Sequence, residues 1–262
     1  MSQAKLRIEQ VSRRFGDLTA LAPTDLQVAE GEFISVVGPS GCGKSTLFNL
    51  ISGVLTPSSG RILIDNDDVT GKTGHVGYML QKDLLLPWLT VIDNIVLGAT
   101  LKGRATAEQR RAGVELARRY GIGDFINHYP AALSGGMRQR VALMRTLAMQ
   151  HDVMLLDEPF GALDSQTRLS MQQWLLTVWQ EQKRTVVFVT HDIDEAIFLA
   201  DRVVVMTPRP GRVNAIFPVE LARPRPLSCL TSEPFMALKK QILSLIYQDE
   251  TQPTAEDQAH VH

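Results

Sequence analysis

The sequence predicts an α/β fold: a parallel-sheet core of alternating strands and helices with an added antiparallel β layer. Three observations lead there. Short apolar runs rich in β-branched residues alternate with segments of helical periodicity, as in strand–helix–strand units. The N-terminal part instead strings strand after strand with turns between them, which suggests antiparallel pairing. One strand, Phe33–Val37, runs straight into the glycine-rich nonamer Gly38-Pro39-Ser40-Gly41-Cys42-Gly43-Lys44-Ser45-Thr46 and then into a helical stretch, Thr46–Ile51.

The elements follow in order. Lys5–Val11, Leu26–Val28 and Phe33–Val37 read as strands, the last two parted by a turn at Glu30-Gly31. Pro57-Ser58-Ser59-Gly60 is a turn before a strand at Arg61–Asp65, and His75–Leu80 is a further strand ending at Gln81. Residues about 91–130 read as mostly helical, with Val114, Leu116, Ala117 and Tyr120 on one face. Ser134-Gly135-Gly136 reads as a helix start and Met137–Gln150 as its helix. Val153–Leu156 and Thr185–Val189 are buried strands, and Asp192–Leu199 is helical. Val203–Met206 is a strand stopped by Pro208-Arg209-Pro210-Gly211. Residues about 250–262 are polar and aperiodic and are expected to be disordered. No internal repeat is visible.

Composition narrows the function. The 262 residues could form one large α/β domain or two small ones, and an apolar fraction of 44% is ample for a core. The formal net charge of −1 supplies no overall field for nucleic acid. The basic run from Arg110-Arg111 to Arg118-Arg119 is interleaved with Glu108 and Glu115 at helical spacing, so it reads as a solvated helix face. The two cysteines are Cys42, inside the glycine loop, and Cys229, a reducing-compartment pattern. No secretory signal is expected at the N-terminus, and no window approaches ~18 uninterrupted apolar residues. Action at a membrane would need a partner to supply the spans.

The nonamer carries chemistry. It matches G-x-x-x-x-G-K-[ST], whose glycines turn the backbone so that successive N–H groups face phosphate oxygens. Lys44 would reach the β- and γ-phosphates and the Ser45 hydroxyl would sit on Mg²⁺. The following helix adds its N-terminal partial charge. Val153–Leu156 then ends in Asp157-Glu158. Carboxylates at the C-terminal edge of a strand stand where open α/β sheets place ligands. Asp157 is thus a candidate for the Mg²⁺ shell and Glu158 for orienting a water. A second glycine-rich helix start, Leu133-Ser134-Gly135-Gly136, offers another anion site. Two phosphate-facing surfaces on one chain make sense if a nucleotide lies between two copies.

Leu133-Ser134-Gly135-Gly136 with Gln139-Arg140 resembles the signature of the ATP-binding-cassette (ABC) ATPases, and the resemblance covers residues about 5–210. It implies a P-loop NTPase (RecA-like) core with an antiparallel β layer and an α-helical signature subdomain at about 85–145. The ATPase domain would span 1–235, and 236–262 would hold a C-terminal helix and tail. It implies ATP and Mg²⁺. Phe15 matches the aromatic that stacks on adenine, where the family more often has Tyr. Gln81 matches the glutamine that senses Mg²⁺ and the attacking water. Ala162-Leu163-Asp164 matches the loop that crosses the dimer interface, and His191 the histidine on the γ-phosphate.

A finer resemblance lies in Leu84-Leu85-Leu86-Pro87-Trp88-Leu89-Thr90-Val91, Asn94 and Met206-Thr207-Pro208-Arg209-Pro210-Gly211-Arg212, which are similar to the nitrate/sulfonate/taurine-type importer ATPases. It implies a head-to-tail homodimer on the cytoplasmic face of a bacterial inner membrane, with permease subunits and a periplasmic or lipid-anchored solute-binding protein. Leu85, Leu86 and Trp88 are expected as an exposed apolar site for the permease. The alternatives are an exporter or lipoprotein-release ATPase, which lacks these two segments, and a soluble cassette. The DNA-maintenance cassettes insert long coiled coils for which the interval from Ser45 to Ser134 leaves no room.

Overall fold

The structure is a computed structural model that describes residues 4–101 and 103–250, with side-chain burial given through residue 247. The disorder expected at about 250–262 lies outside the described residues. Along the chain run β1 (Ala4–Phe15), β2 (Leu18–Ala29), β3 (Phe33–Val37), α1 (Lys44–Ile51), β4 (Ser59–Ile64), β5 (Asp67–Asp68) and β6 (Gly77–Met79). Then come α2 (Val91–Ile95), α3 (Leu97–Leu101), α4 (Ala107–Arg119), α5 (Gly135–Ala148), β7 (Val153–Asp157), α6 (Ser165–Gln182) and β8 (Thr185–Val189). The chain continues through α7 (Ile193–Leu199), β9 (Arg202–Met206), β10 (Val213–Pro218) and α8 (Glu233–Glu250). Two compact units result: the chain up to Thr73 together with Val187 onward, and Gly74–Val186. Among the described residues no helix is long and apolar enough to cross a membrane.

The first unit contains the expected antiparallel layer, four strands in the order β2-β1-β4-β5. β1 and β2 are longer than the runs Lys5–Val11 and Leu26–Val28 suggested. Their pairing is irregular between Ile8 and Val11, where Gln10 has φ 49°, so the apolar alternation is broken while the ladder continues. In the same unit β3 is buried along its whole length and pairs in parallel with β9, Ile34 opposite Arg202 through Val37 opposite Val205. β10 adds antiparallel to β9. α8 is anchored by Phe235 and Ile242, both fully buried.

In the second unit β6 lies parallel to β7, with Tyr78 opposite Leu155. The helical stretch expected at about 91–130 is broken into α2, α3 and α4. α4 begins at a capping box, Thr106 accepting from Gln109 N–H while the Gln109 side chain accepts from Thr106 N–H. It buries Ala117 and, just past its end, Tyr120, while Val114 and Leu116 are half-buried. Arg110, Arg111, Arg118 and Arg119 are exposed, as a solvated face requires.

The link between β9 and β10 shapes the first unit's glycine loop. Thr207 N–H donates to Arg212 O at 3.0 Å and Arg212 N–H to Thr207 Oγ1 at 3.2 Å, which closes a tight turn. Gly211 then pairs with β2: its N–H donates to Ala20 O at 3.2 Å and its carbonyl accepts from Ala22 N–H at 2.8 Å. A Cβ at Gly211 would lie 1.7 Å from the Cys42 carbonyl oxygen, so only glycine fits. Gly211→Ala is expected to cost about 1–3 kcal/mol, the usual range for overpacking a close contact, and to lower the thermal midpoint. Scanning calorimetry of the variant beside the parent measures it. An unchanged midpoint would contradict the contact.

Candidate functional site

Loop Gly38–Thr46 belongs to the first unit. Gly43 takes φ 101°, ψ 12° as the N-cap of α1, a conformation that an L side chain resists. No side chain caps α1 and no acidic residue stands in its first turn. Its N-terminal N–H groups and partial positive charge are thus directed at the loop, as an anion site requires. Lys44 is buried, and its Nζ donates to Gly38 O at 2.8 Å and Pro39 O at 3.0 Å. A phosphate in the loop would offer that ammonium a charged acceptor, stronger than a neutral carbonyl. Cys42 is buried and Ser45 exposed.

Phe15 closes β1 with its ring 44% exposed, and the Arg13 guanidinium lies 4.6 Å from the ring centroid. His191 is exposed at the bend between β8 and α7, and Asp192 after it caps α7 by accepting from Glu195 N–H at 3.1 Å. The segment Met206–Arg212, which sequence reasoning used only as a mark of lineage, abuts the loop. Gly211 contacts the Cys42 backbone, and Arg209 Nη2 donates to Gly41 O at 3.3 Å. The only signal for this in the sequence was a strand stopped by an arginine between two prolines.

The second unit holds the remaining candidates. Asp157 ends β7 almost buried, and Tyr78 on β6 donates its hydroxyl to Asp157 Oδ2 at 3.4 Å. Burial first, and then the Asp157 charge, push the Tyr78 pKa well up, so the phenol stays a donor. Glu158 follows with φ 42°, and Gln81 Nε2 donates to its Oε2 at 3.1 Å. The fold thus joins Gln81 and Glu158 across 77 positions of sequence. Tyr78 was not foreseen, since strand periodicity alone does not say which residue of β6 meets a carboxylate.

At the start of α5 the Ser134 hydroxyl accepts from Met137 N–H at 3.3 Å, so it caps its own helix. A Cβ on Gly135 would lie 3.6 Å from Leu163 Cδ2, and one on Gly136 3.0 Å from Thr167 Cγ2. The Ala162–Asp164 loop and this helix start are therefore neighbours. Asp164 accepts from Thr167 N–H at 3.0 Å, and its bonds to Thr167 hold its carboxyl below the usual range.

The apolar segment after Gln81 departs from expectation. Leu85 is buried and Leu86 half-buried, while Trp88 is 70% exposed. The cause is Asn94, fully buried, which takes over the loop's main-chain groups. Its Oδ1 accepts from Leu86 N–H at 2.8 Å, and its Nδ2 donates to the Leu86, Leu89 and Thr90 carbonyls, each at 3.1 Å. From α5, Arg145 donates to Asp83 O at 2.6 Å and Leu84 O at 2.8 Å, and Arg138 pairs with the Asp83 carboxylate at 3.2 Å. Sequence reasoning gave these residues no role. The available signal was that Arg138 and Arg145 stand two helical turns apart on one face.

Comparison with known proteins bears on these sites. The chain matches the family model described as ABC transporter over residues 21–161. It is 43% identical over 248 residues, 95% of each chain, to a protein of Brucella abortus (strain 2308). It is 42% identical over 234 residues to the taurine import ATP-binding protein TauB of Yersinia pestis bv. Antiqua, covering 87% of this chain and 92% of that one. Among solved structures it is similar to a dimeric ATP-binding cassette in a post-hydrolysis state bound to ADP and Pi, with TM-score 0.70 and 33% identity over 83% of this chain and 100% of that one. The matched region contains both the glycine loop and the Asp157-Glu158 strand end. The chain therefore belongs to the ABC transporter family, as an ATP-binding and ATP-hydrolysing cassette of the P-loop NTPase fold.

Proposed function

We propose that this chain is the Mg²⁺-dependent ATPase subunit that energises import of a small solute through a separate membrane permease. The solute class is a nitrate-, sulfonate- or taurine-like anion or a related small organic compound. The import reading is supported by 42% identity to a taurine import ATP-binding protein over most of both chains. The chemistry is carried by one observation, the Gln81–Glu158 hydrogen bond, which aims an amide at the carboxylate beside Asp157.

The reaction is phosphoryl transfer to water, driven by positioning and by charge stabilisation. Phe15 stacks on adenine. The loop N–H groups, Lys44 and the α1 N-terminus hold the phosphates. Glu158 orients and polarises the attacking water with Gln81 beside it, and His191 helps fix the γ-phosphate. Ser45, Asp157 and Gln81 offer a hydroxyl, a carboxylate and an amide oxygen, the hard donors that suit Mg²⁺. When bound, the cation neutralises charge developing on the phosphate oxygens. Each nucleotide lies between the loop of one copy and Ser134–Gly136 of a second, with Asp164 at their interface. The dimer sits on the cytoplasmic face of a bacterial inner membrane, against permease subunits that work with a solute-binding protein. Trp88, held outward by Asn94, is the apolar contact for the permease.

Glu158→Gln keeps the shape of the side chain and removes its charge. ATP hydrolysis is expected to fall by at least ~100-fold, the lower range for losing a general base, while ATP still binds and an ATP-bound dimer accumulates. Turnover assays with gel filtration read both effects, and full turnover would sink the role of Glu158.

Shared sites make a second test. Lys44→Ala and Ser134→Arg chains should each be inactive as homodimers. Mixed, they place both defects in one site and leave the other intact, so activity should return in part. Absence of recovery in verified heterodimers would contradict independent composite sites.

Trp88→Ala is expected to abolish solute uptake in reconstituted vesicles while basal ATPase of the isolated subunit stays within a few-fold. The lost contact is a large aromatic face of the kind worth about 1.5–3 kcal/mol when covered. If the variant instead unfolds the isolated subunit, Trp88 belongs to the core.

A further inference from the structure

The segment after β10 contributes no residue to the candidate site, yet it grips the helix that follows His191. α7 is only seven residues long. Its last carbonyls, from Ile197 to Ala200, have no intrahelical partner and lie in a fully buried stretch. Two arginines, one residue apart, answer all four. Arg225 Nη1 is shared among Ile197 O at 2.9 Å, Phe198 O at 2.9 Å and Ala200 O at 2.8 Å. Arg223 Nη2 donates to Leu199 O at 2.6 Å. Arg225 is 6% exposed, and its other nitrogens reach Val219 O and Leu221 O at 3.4 Å, so the strap folds back on itself around the guanidinium.

The opposite end of α7 is just as constrained, and His191 stands there. Thr190 N–H donates to Val36 O on β3 at 3.3 Å. Asp192 N–H donates to Thr190 Oγ1 at 3.0 Å, and Thr190 Oγ1 bonds the Glu195 carboxylate in the first turn of α7. His191 is thus flanked by two residues tied to α7. From α8, Lys239 Nζ meets the Asp194 carboxylate at 2.8 Å, a second tie to the same first turn. Arg223 Nε also holds Asp201 Oδ1 at 2.9 Å, and Asp201 Oδ2 accepts from Phe33 N–H at 3.0 Å where β3 begins.

We propose that Arg225 is a positioning residue for ATP hydrolysis: by clamping the C-terminal end of α7 it sets the axial position of that helix and so the place of the His191 imidazole. This rests on the reading of His191 given above. A helix of two turns, bonded at both ends, moves as one body, so a shift at Ala200 is delivered at Asp192. Burial pushes the Arg225 pKa down to about 10, so the guanidinium stays charged at neutral pH and its donors remain in place. The strap from Val219 to α8 therefore acts on turnover from outside the nucleotide site.

The test is Arg225→Lys, which keeps a cation able to reach some of the carbonyls but loses the fork that serves all of them. ATPase of the isolated subunit should lose roughly tenfold in kcat with KM for ATP within about twofold, the pattern of a lost transition-state interaction. In a His191→Ala background the same change should add nothing, because the two residues act in series. With ¹³C-labelled histidine, the His191 signal should move in Arg225→Lys while those of His75, His128 and His151 stay. Lys239→Ala cuts only the surface tie and should move the His191 signal by less. Equal losses from Arg225→Lys in both backgrounds, or a His191 signal unmoved in both variants, would overturn the proposal. Wild-type turnover in His191→Ala alone would overturn the His191 reading, and the histidine spectra would still decide whether Arg225 positions the ring.

Discussion

Every helix leaves four N–H groups and four carbonyls without partners at its ends, and much of this molecule is arranged around that constraint. α1 begins at Gly43 with no side-chain cap, so its N–H groups are left for a ligand. α5 begins at Ser134, whose hydroxyl takes one N–H and leaves the remainder of the first turn beside two glycines. α6 and α7 begin at Asp164 and Asp192, which close their own first turns with a carboxylate. The difference is chemical. A carboxylate at the N-cap supplies the negative charge that the helix end favours, and glycine or serine leaves that charge to come from elsewhere. Of these four helix starts, the two proposed to face nucleotide are the ones without an acidic cap.

The same constraint explains what the sequence made legible. β3, the glycine loop and α1 were readable because the loop needs specific residues at specific spacings, and β7 with Asp157-Glu158 because a fully buried strand is a continuous apolar run. α6 was not foreseen, although it is eighteen residues long. Its apolar residues crowd at Trp174–Leu176 and Val178–Trp179, and Gln172 is buried among them, so the 3.6-residue period is blurred. β10 was missed for a different reason: it is an edge strand in which half-buried and exposed residues alternate, and it includes Asn214 and ends in Pro218. The expected exposed trio after Gln81 failed at Leu85 because one buried side chain, Asn94, decides which of those residues faces out. A long-range polar contact of that kind has no periodicity to reveal it.

The site residues show the same division. Individual residues could be picked out as candidates from residue type and motif spacing. Their mutual support could not. Nothing in the spacing of Tyr78, Gln81, Asp157 and Glu158 says that a phenol meets one carboxylate and an amide the other. Gly211 shows this most directly: an ordinary turn glycine in the sequence, it is in the fold the residue that lets the β9–β10 link pass against the backbone of Cys42.

Arginine use ties these observations together. With a net charge of −1 the chain has no cationic field to spare, and many of its arginines are spent on main-chain carbonyls. Arg13 donates to Thr56 O, Arg145 to Asp83 O and Leu84 O, Arg168 to Leu163 O, Arg202 to Gln27 O, and Arg225 to five carbonyls of α7 and its own strap. A guanidinium suits this work because its planar fork offers five donors, stays charged when partly buried, and is hydrated more weakly than an ammonium. Apart from Arg168 and the Arg225 contacts within its own strap, these contacts join stretches of main chain that are far apart in sequence. In the second unit these contacts set the segment between Gln81 and Trp88. In the first unit they set the helix that begins beside His191. In both units, then, the side chains proposed to respond to nucleotide lie at the end of a segment whose backbone is held by arginine, so a displacement of that backbone reaches the site as a displacement of a whole element.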